Sequence, residues 1–268
     1  MASRSADQAP ASGSTALSAS PSTSTSNTSE SAKKAWTVLY YGAADNDLDK
    51  YITQDVAHME QVGTDPATNI LVQLDHSKGS ASRFLLQKDT VPNEQIDSPV
   101  LQELGPVNMG DPKQLQDFIE WGIKKYPAEN YVLMIASHGQ GWKGVCRDGE
   151  NGWMEIPQLQ QALQGARETT GEKLSLIGFD ACLMASTEVA YQLRNEADYM
   201  VASQEVEGQK GWPYNLVLDP DAIATMGMNA SITSATVTPK QLASYLVSRT
   251  TADPKDIPTM SAIDLSKM

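Results

Sequence analysis

Apolar residues along this chain come in short unbroken runs that alternate with stretches of helical spacing. The first run, Trp36-Thr-Val-Leu-Tyr-Tyr-Gly42, is bounded by glycine and reads as a strand buried on both faces. A helix follows through Tyr51, Ile52, Val56, Met59 and Val62, with one of the Asp or Asn residues between Asp45 and Asp49 as its cap. Residues 69–75 form a second buried-type strand, and 83–87 an antiparallel addition. Asp111-Pro112 opens a helix carrying Leu115, Phe118, Ile119 and Ile123, which ends near Pro127. Further strands are predicted over 131–136, 174–179, 199–202 and 261–265, and helices over 156–168 and 239–250, with another directly after Met184. Strands alternating with helices imply an α/β fold with a mostly parallel sheet, whose ligands sit beyond the carboxyl ends of the strands.

Composition divides the chain in two. Residues 1–34 are dominated by Ser, Ala, Thr and Pro, with Leu17 the only large aliphatic residue, so this stretch is expected to be a disordered tail. Residues 35–268 are expected to be one globular domain, truncated at its C-terminal end because the last strand begins just before Met268. No run approaches the roughly 18 apolar residues of a membrane span, and no export signal stands at the start. The formal net charge of −13 disfavours nucleic acid as a partner and suits cationic substrates.

Chemistry enters at two strand ends. The run 131–136 leads into Ser137-His-Gly-Gln-Gly-Trp142, and the run 174–179 ends in Asp180-Ala-Cys-Leu-Met184. If these strands are parallel neighbours, His138 and Cys182 emerge on one edge despite their separation in sequence. A thiol needs a base because the thiolate is the nucleophile, and an imidazole can take its proton and later return it to a leaving amine. The amides of Gly139 and Cys182 are candidates for binding a developing oxyanion. A helix starting near Leu183 would add its positive dipole end to the thiolate. The competing uses are a Cys146–Cys182 disulfide or a metal site of His138, Cys146 and Cys182, the latter without CxxC or HxxxH spacing. His76 and His58 are alternative bases but lack a Gly-rich turn. A receiver-like switch with Asp75 as phosphoacceptor is a further alternative, for which no strand-end Lys is evident.

The pairing of Ser137-His-Gly-Gln-Gly-Trp142 with Gly178-Phe-Asp-Ala-Cys-Leu-Met184 resembles the clostripain family of cysteine peptidases, in the caspase-like clan. Tyr40-Tyr-Gly-Ala-Ala-Asp-Asn-Asp-Leu-Asp49 and Ala202-Ser-Gln-Glu-Val-Glu-Gly-Gln-Lys-Gly-Trp-Pro-Tyr214 are similar to that family's first strand with its acidic turn and to its post-catalytic loop. The resemblance implies a caspase-like α/β/α sandwich, a His138/Cys182 dyad acting through a thioester, and cleavage of protein or peptide substrates after Arg or Lys. It also implies Asp180 as the acid lining the S1 pocket, where a carboxylate pairs bidentately with a guanidinium; the rival reading is a helix N-cap. Glu205 and Glu207 are second candidates for binding a basic side chain, which Lys210 would oppose if it points inward. An activating cut between the two blocks is expected after Arg147. No cofactor is expected; calcium occurs in the family, and Asp45, Asp47 and Asp49 resemble a ligand cluster, but without the Gly and distal Glu of a calcium loop capping is the preferred reading. The expected setting is secreted or cell-surface. A catalytically inactive caspase-like binding or scaffolding module is the alternative function.

Overall fold

Strand β1 (Lys34–Gly42) is the spine of the protein, because its side chains alternate between two separate apolar cores. In this computed structural model, which describes residues 33–77, 80–89, 91, 93–149, 152–219, 236–252 and 256–268, Leu39 and Tyr41 point into one core and Trp36, Val38 and Tyr40 into the other. The tail expected over 1–34 lies outside the described residues except for its last two positions, of which Lys34 opens β1.

On one side β1 pairs in parallel with β2 (Thr68–Leu74), which continues antiparallel into β3 (Ala81–Leu85) and β4 (Val100–Gly105). On the other it pairs in parallel with β5 (Ala128–Ala136), then β8 (Leu174–Asp180), β9 (Ala197–Ala202) and the antiparallel β10 (Ser261–Asp264). The result is an eight-stranded sheet in the order β10-β9-β8-β5-β1-β2-β3-β4. Strands β6 (Val145–Asp148) and β7 (Gly152–Met154) form a separate small hairpin.

Helices cover both faces, giving the α/β/α sandwich. One face carries α2 (Pro112–Lys125), α3 (Ile156–Thr170) and α4 (Thr187–Leu193); the other carries α1 (Asp49–Glu60), α5 (Tyr214–Val217) and α6 (Pro239–Thr250). Sequence chemistry starts and stops them. Asp111 caps α2 by accepting from the Lys113 amide, with Pro112 at the first position, and α3 ends on Gly171 in the left-handed conformation. Phe118 and Ile119 of α2 and Leu159 and Leu163 of α3 are buried against the sheet, each contributing about 1.5–3 kcal/mol.

Two expectations need correction. The helix after Cys182 does not start at Leu183: residues 181–183 form a turn, and α4 begins at Thr187 behind the Ser186 cap. The dipole of that helix therefore gives Cys182 no first-turn stabilisation, and Asp180 caps no helix. Nor does an Asp or Asn side chain between Asp45 and Asp49 cap α1. Its N-cap is Leu48, whose amide is taken by Asn46 Oδ1 at 2.9 Å.

Candidate active site

The carboxyl ends of three parallel strands, β1, β5 and β8, are stitched together. Ala43 N–H donates to Ala136 O (3.0 Å), Ser137 N–H to Asp180 O (3.3 Å), and Ser137 Oγ to Ala43 O (2.9 Å). Ala136 and Asp180 are register partners of β5 and β8, so His138 and Cys182, two residues beyond each, leave the sheet side by side. Both line one cavity of about 130 Å³, as the sequence predicts.

Backbone contact tightens this arrangement. A Cβ on Gly139 would collide with the Cys182 carbonyl oxygen and lie 3.1 Å from the Cys182 nitrogen, so only glycine lets the two turns touch. The turn after the cysteine is clamped by the loop that follows β9: Leu183 N–H donates to Glu205 O (3.1 Å) and Ala185 N–H to Ser203 O (2.8 Å). Leu183 takes a left-handed φ of 66°, the bend that turns the chain from strand into this clamp.

Cys182 Sγ accepts from the Glu207 N–H at 3.3 Å, and His138 Nε2 is hydrogen-bonded to Asp47 Oδ1 at 2.7 Å. Thiol and imidazole thus share the cavity while each holds another partner. Cys146 and Cys182 are both free thiols; Cys146 is fully buried, and burial pushes its thiol far up.

Three carboxyls line the same cavity: Asp55, Asp180 and Glu207. Asp180 Oδ2 accepts from the Trp212 amide (3.0 Å) and from Tyr214 Oη (3.0 Å), while Glu207 Oε2 accepts from Trp212 Nε1 (3.1 Å). Among the described residues none of the three has a Lys or Arg partner. Burial raises Asp180 to about 6, against the opposing pull of the Trp212 amide. Burial and then the Asp180 charge push Glu207 and Asp55 well above the usual carboxylate range. Gly211, at φ 61°, passes so close that a Cβ there would stand 2.7 Å from both Asp180 Oδ2 and Asp55 Oδ2.

The other sequence candidates are distributed around this centre. Glu205 is exposed and meets the site through its backbone oxygen. Lys210 points away, pairing with Asp256 at 3.5 Å. Arg147 lies in β6 with its Nη1 4.0 Å from Asp47, and its carbonyl accepts from Asn46 Nδ2 at 2.8 Å. His76 is paired with Asp49 (2.7 Å), and His58 lies in α1. The acidic turn does not converge: Asp47 goes to His138, Asp49 to His76 and the Ser77 amide, and Asp45 offers its backbone oxygen to Gly149. Among the described residues no group of three or more His, Cys, Asp or Glu is arranged to hold a metal ion.

Sequence reasoning missed Asp55 and the role of Asp47. Asp55 was detectable: Ile52, Val56 and Met59 mark a buried stripe at helical spacing, and Asp55 lies within it as a charged intruder. Asp47 carried no such signal, because acidic turns before helices are common caps.

A family model described as "Clostripain family" matches residues 40–268. The chain is 28% identical over 272 residues to Clostripain of Hathewaya histolytica, covering 83% of this chain and 51% of that protein. It thus spans about half the length of the curated relative it matches. Among solved structures, it is similar to a secreted C11 cysteine protease from Bacteroides thetaiotaomicron in complex with an irreversible peptide inhibitor, at TM-score 0.67 and 27% identity over 87% of this chain and 67% of that one. An inactive zymogen C11 protease from Parabacteroides distasonis shares the fold at TM-score 0.66 and 24% identity, over 88% of this chain and 63% of that one.

Proposed function

Since the chain belongs to the clostripain family, whose model it matches from residue 40 to 268, we propose that it is a cysteine endopeptidase that cleaves after Arg or Lys, with Cys182 as nucleophile and His138 as acid/base. One observation carries this reading: the cavity that holds both side chains is walled by three buried carboxyls with no cationic partner among the described residues. Carboxyls so placed resist joint ionisation, and an entering guanidinium or ammonium removes that resistance by supplying a positive charge. Asp180, anchored by Trp212 and Tyr214, lines this cavity together with Glu207 and Asp55.

In the reaction the Cys182 thiol gives its proton to His138 as sulfur attacks the carbonyl carbon, and the carbonyl electron pair moves to oxygen near the Gly139 and Cys182 amides. Collapse expels the amine, which takes the proton from the imidazole and leaves a thioester. Water then attacks with His138 as base, and the proton returns to sulfur. The present partners of both side chains do not oppose this, because catalytic hydrogen bonds commonly tighten only when substrate is bound. Secretion fits this activity and follows the description of the B. thetaiotaomicron relative. No helix among the described residues is long and apolar enough to cross a membrane.

Profiling a peptide library with wild type, Cys182→Ala and Asp180→Ala tests the assignment. Wild type is expected to cut after Arg and Lys, Cys182→Ala to lose cleavage, and Asp180→Ala to lose roughly a hundredfold in selectivity for basic residues. Cleavage by Cys182→Ala at the wild-type rate would overturn the reading.

A further inference from the structure

We infer that Asp47 is the positioning residue of His138, fixing its tautomer so that Nδ1 is the nitrogen that exchanges protons with Cys182 and the leaving amine. The inference rests on the peptidase reading above and deepens it by one residue.

The geometry begins with the 2.7 Å bond between His138 Nε2 and Asp47 Oδ1. An ionised carboxylate can only accept, so the proton in that bond belongs to Nε2, and in the neutral ring the lone pair is left on Nδ1. Asp47 is ionised at neutral pH: the hydrogen bond from His138 holds its carboxyl below the usual range, with smaller help from the charges of His138 and Arg147.

The carboxylate is also held in place. Its turn leaves β1 at Gly42, and Ala43 N–H is bonded to Ala136 O, two residues before His138. Asn46 Nδ2 bridges Ala43 O (2.9 Å) and Arg147 O (2.8 Å), so the turn is tied both to the strand end and to the β6 hairpin. Imidazole and carboxylate therefore arise from adjacent parallel strands whose ends are bonded to each other, the same device that sets His138 beside Cys182.

The charged and titratable groups around this pair are few. Arg147 Nη1, from β6, stands 4.0 Å from the same Asp47 oxygen, and the cavity presents Cys182, Asp55, Asp180 and Glu207. The Trp153 ring, 6.4 Å from the imidazole centroid, is uncharged. During acylation the thiol proton passes from Sγ to Nδ1 and on to the amine, and during hydrolysis from water to Nδ1 and back to sulfur. The Nε2 proton stays in its bond to Asp47 throughout, and Asp47 is never protonated. Because the Asp47 side chain is 62% exposed, water weakens its field, and its effect is smaller than that of a buried triad carboxylate.

Steady-state kinetics on an arginyl peptide, with iodoacetamide alkylation of Cys182 followed from roughly pH 5 to 9, should be compared for wild type, Asp47→Ala, Asp47→Asn and Cys182→Ala. Cys146, fully buried, does not report in the alkylation. Asp47→Ala is expected to lose about ten- to a hundredfold in kcat with KM unchanged, and to slow the alkylation of Cys182. Asp47→Asn, which keeps an acceptor for Nε2–H without the charge, should recover most of kcat. An Asp47→Ala enzyme with unchanged kcat and an unchanged alkylation profile would overturn the inference, as would a defect confined to KM or to melting temperature. Activity retained by Cys182→Ala would instead remove the peptidase reading itself, and the alkylation profiles would still decide whether Asp47 governs the imidazole.

Discussion

Replacing Gly139 with alanine sets a methyl group against the Cys182 carbonyl oxygen, the Cys182 nitrogen and the Ala181 side chain, and two of those three obstacles are backbone. Neither strand end can retreat, because Ser137 and Asp180 are already joined. Gly139→Ala is therefore expected to lose about 1–3 kcal/mol of stability in thermal melts and to lose peptide cleavage with it, as the two turns separate. A variant with wild-type melting temperature and activity would show that the turns tolerate the spacing. This residue, like His138 and Cys182, was legible in the sequence, since a Gly-rich break and a cysteine each end an apolar run. Glu207 and Glu205 looked alike two positions apart in one loop. Only the fold separates them, sending the Glu207 side chain into the cavity and leaving Glu205 to contribute its carbonyl.

Among elements, β6 and β7 were the least legible, because a hairpin of four and three residues with Gly149 and Gly152 at positive φ reads as a turn. Strand β4 was hidden for a different reason: Val100 and Leu101 are exposed, so no buried pattern marks this edge. The start of α4 was misplaced because the amides of Leu183 and Ala185 are spent on the loop after β9 rather than on a helix. The hairpin is fastened to the sheet by a carboxyl pair. Asp75, at the end of β2, takes the Ala44 amide, and Asp148, in β6, takes the Met109 amide, while the two carboxyls face each other. Tyr41, Cys146 and Asp45 are the other titratable groups beside Asp75, and none supplies a positive charge. Burial, opposed by the Ala44 amide and reinforced by Asp148, raises Asp75 to about 7. Between about pH 4, where an unfolded Asp titrates, and about pH 7 the folded chain holds a proton that the unfolded chain releases, so this pair's stabilisation is full below that window and lost as pH rises through it. Asp75→Asn, which donates to Asp148 without needing the proton, should melt higher than wild type at pH 8 and converge with it near pH 4. Equal melting temperatures at pH 8 would show that the pair does not share a proton.

At the scale of the whole molecule, the alternation of strands and helices made the sandwich legible from Trp36 onward, because strands buried on both faces need helices on both. Strand order was legible only where motifs demanded neighbours, at β5 and β8; the antiparallel flanks follow from local pairing that periodicity does not encode. The proposed self-cleavage after Arg147 likewise concerns the whole chain. Incubated wild type is expected to yield two fragments divided after Arg147 on a denaturing gel, with Cys182→Ala intact, and to elute as one particle under native conditions. An uncut single chain in both would remove the proposal. The native result follows from the sheet: a break after Arg147 severs β6 of the small hairpin and none of the eight strands. The piece ending at Arg147 keeps β5, the piece beginning at Asp148 keeps β8, and their ladder still runs from Val132 opposite Leu176 to Ala136 opposite Asp180. Once folded, the protein has no need of covalent continuity between His138 and Cys182, since two separate polypeptides can hold the ends of β5 and β8 in register as well as one.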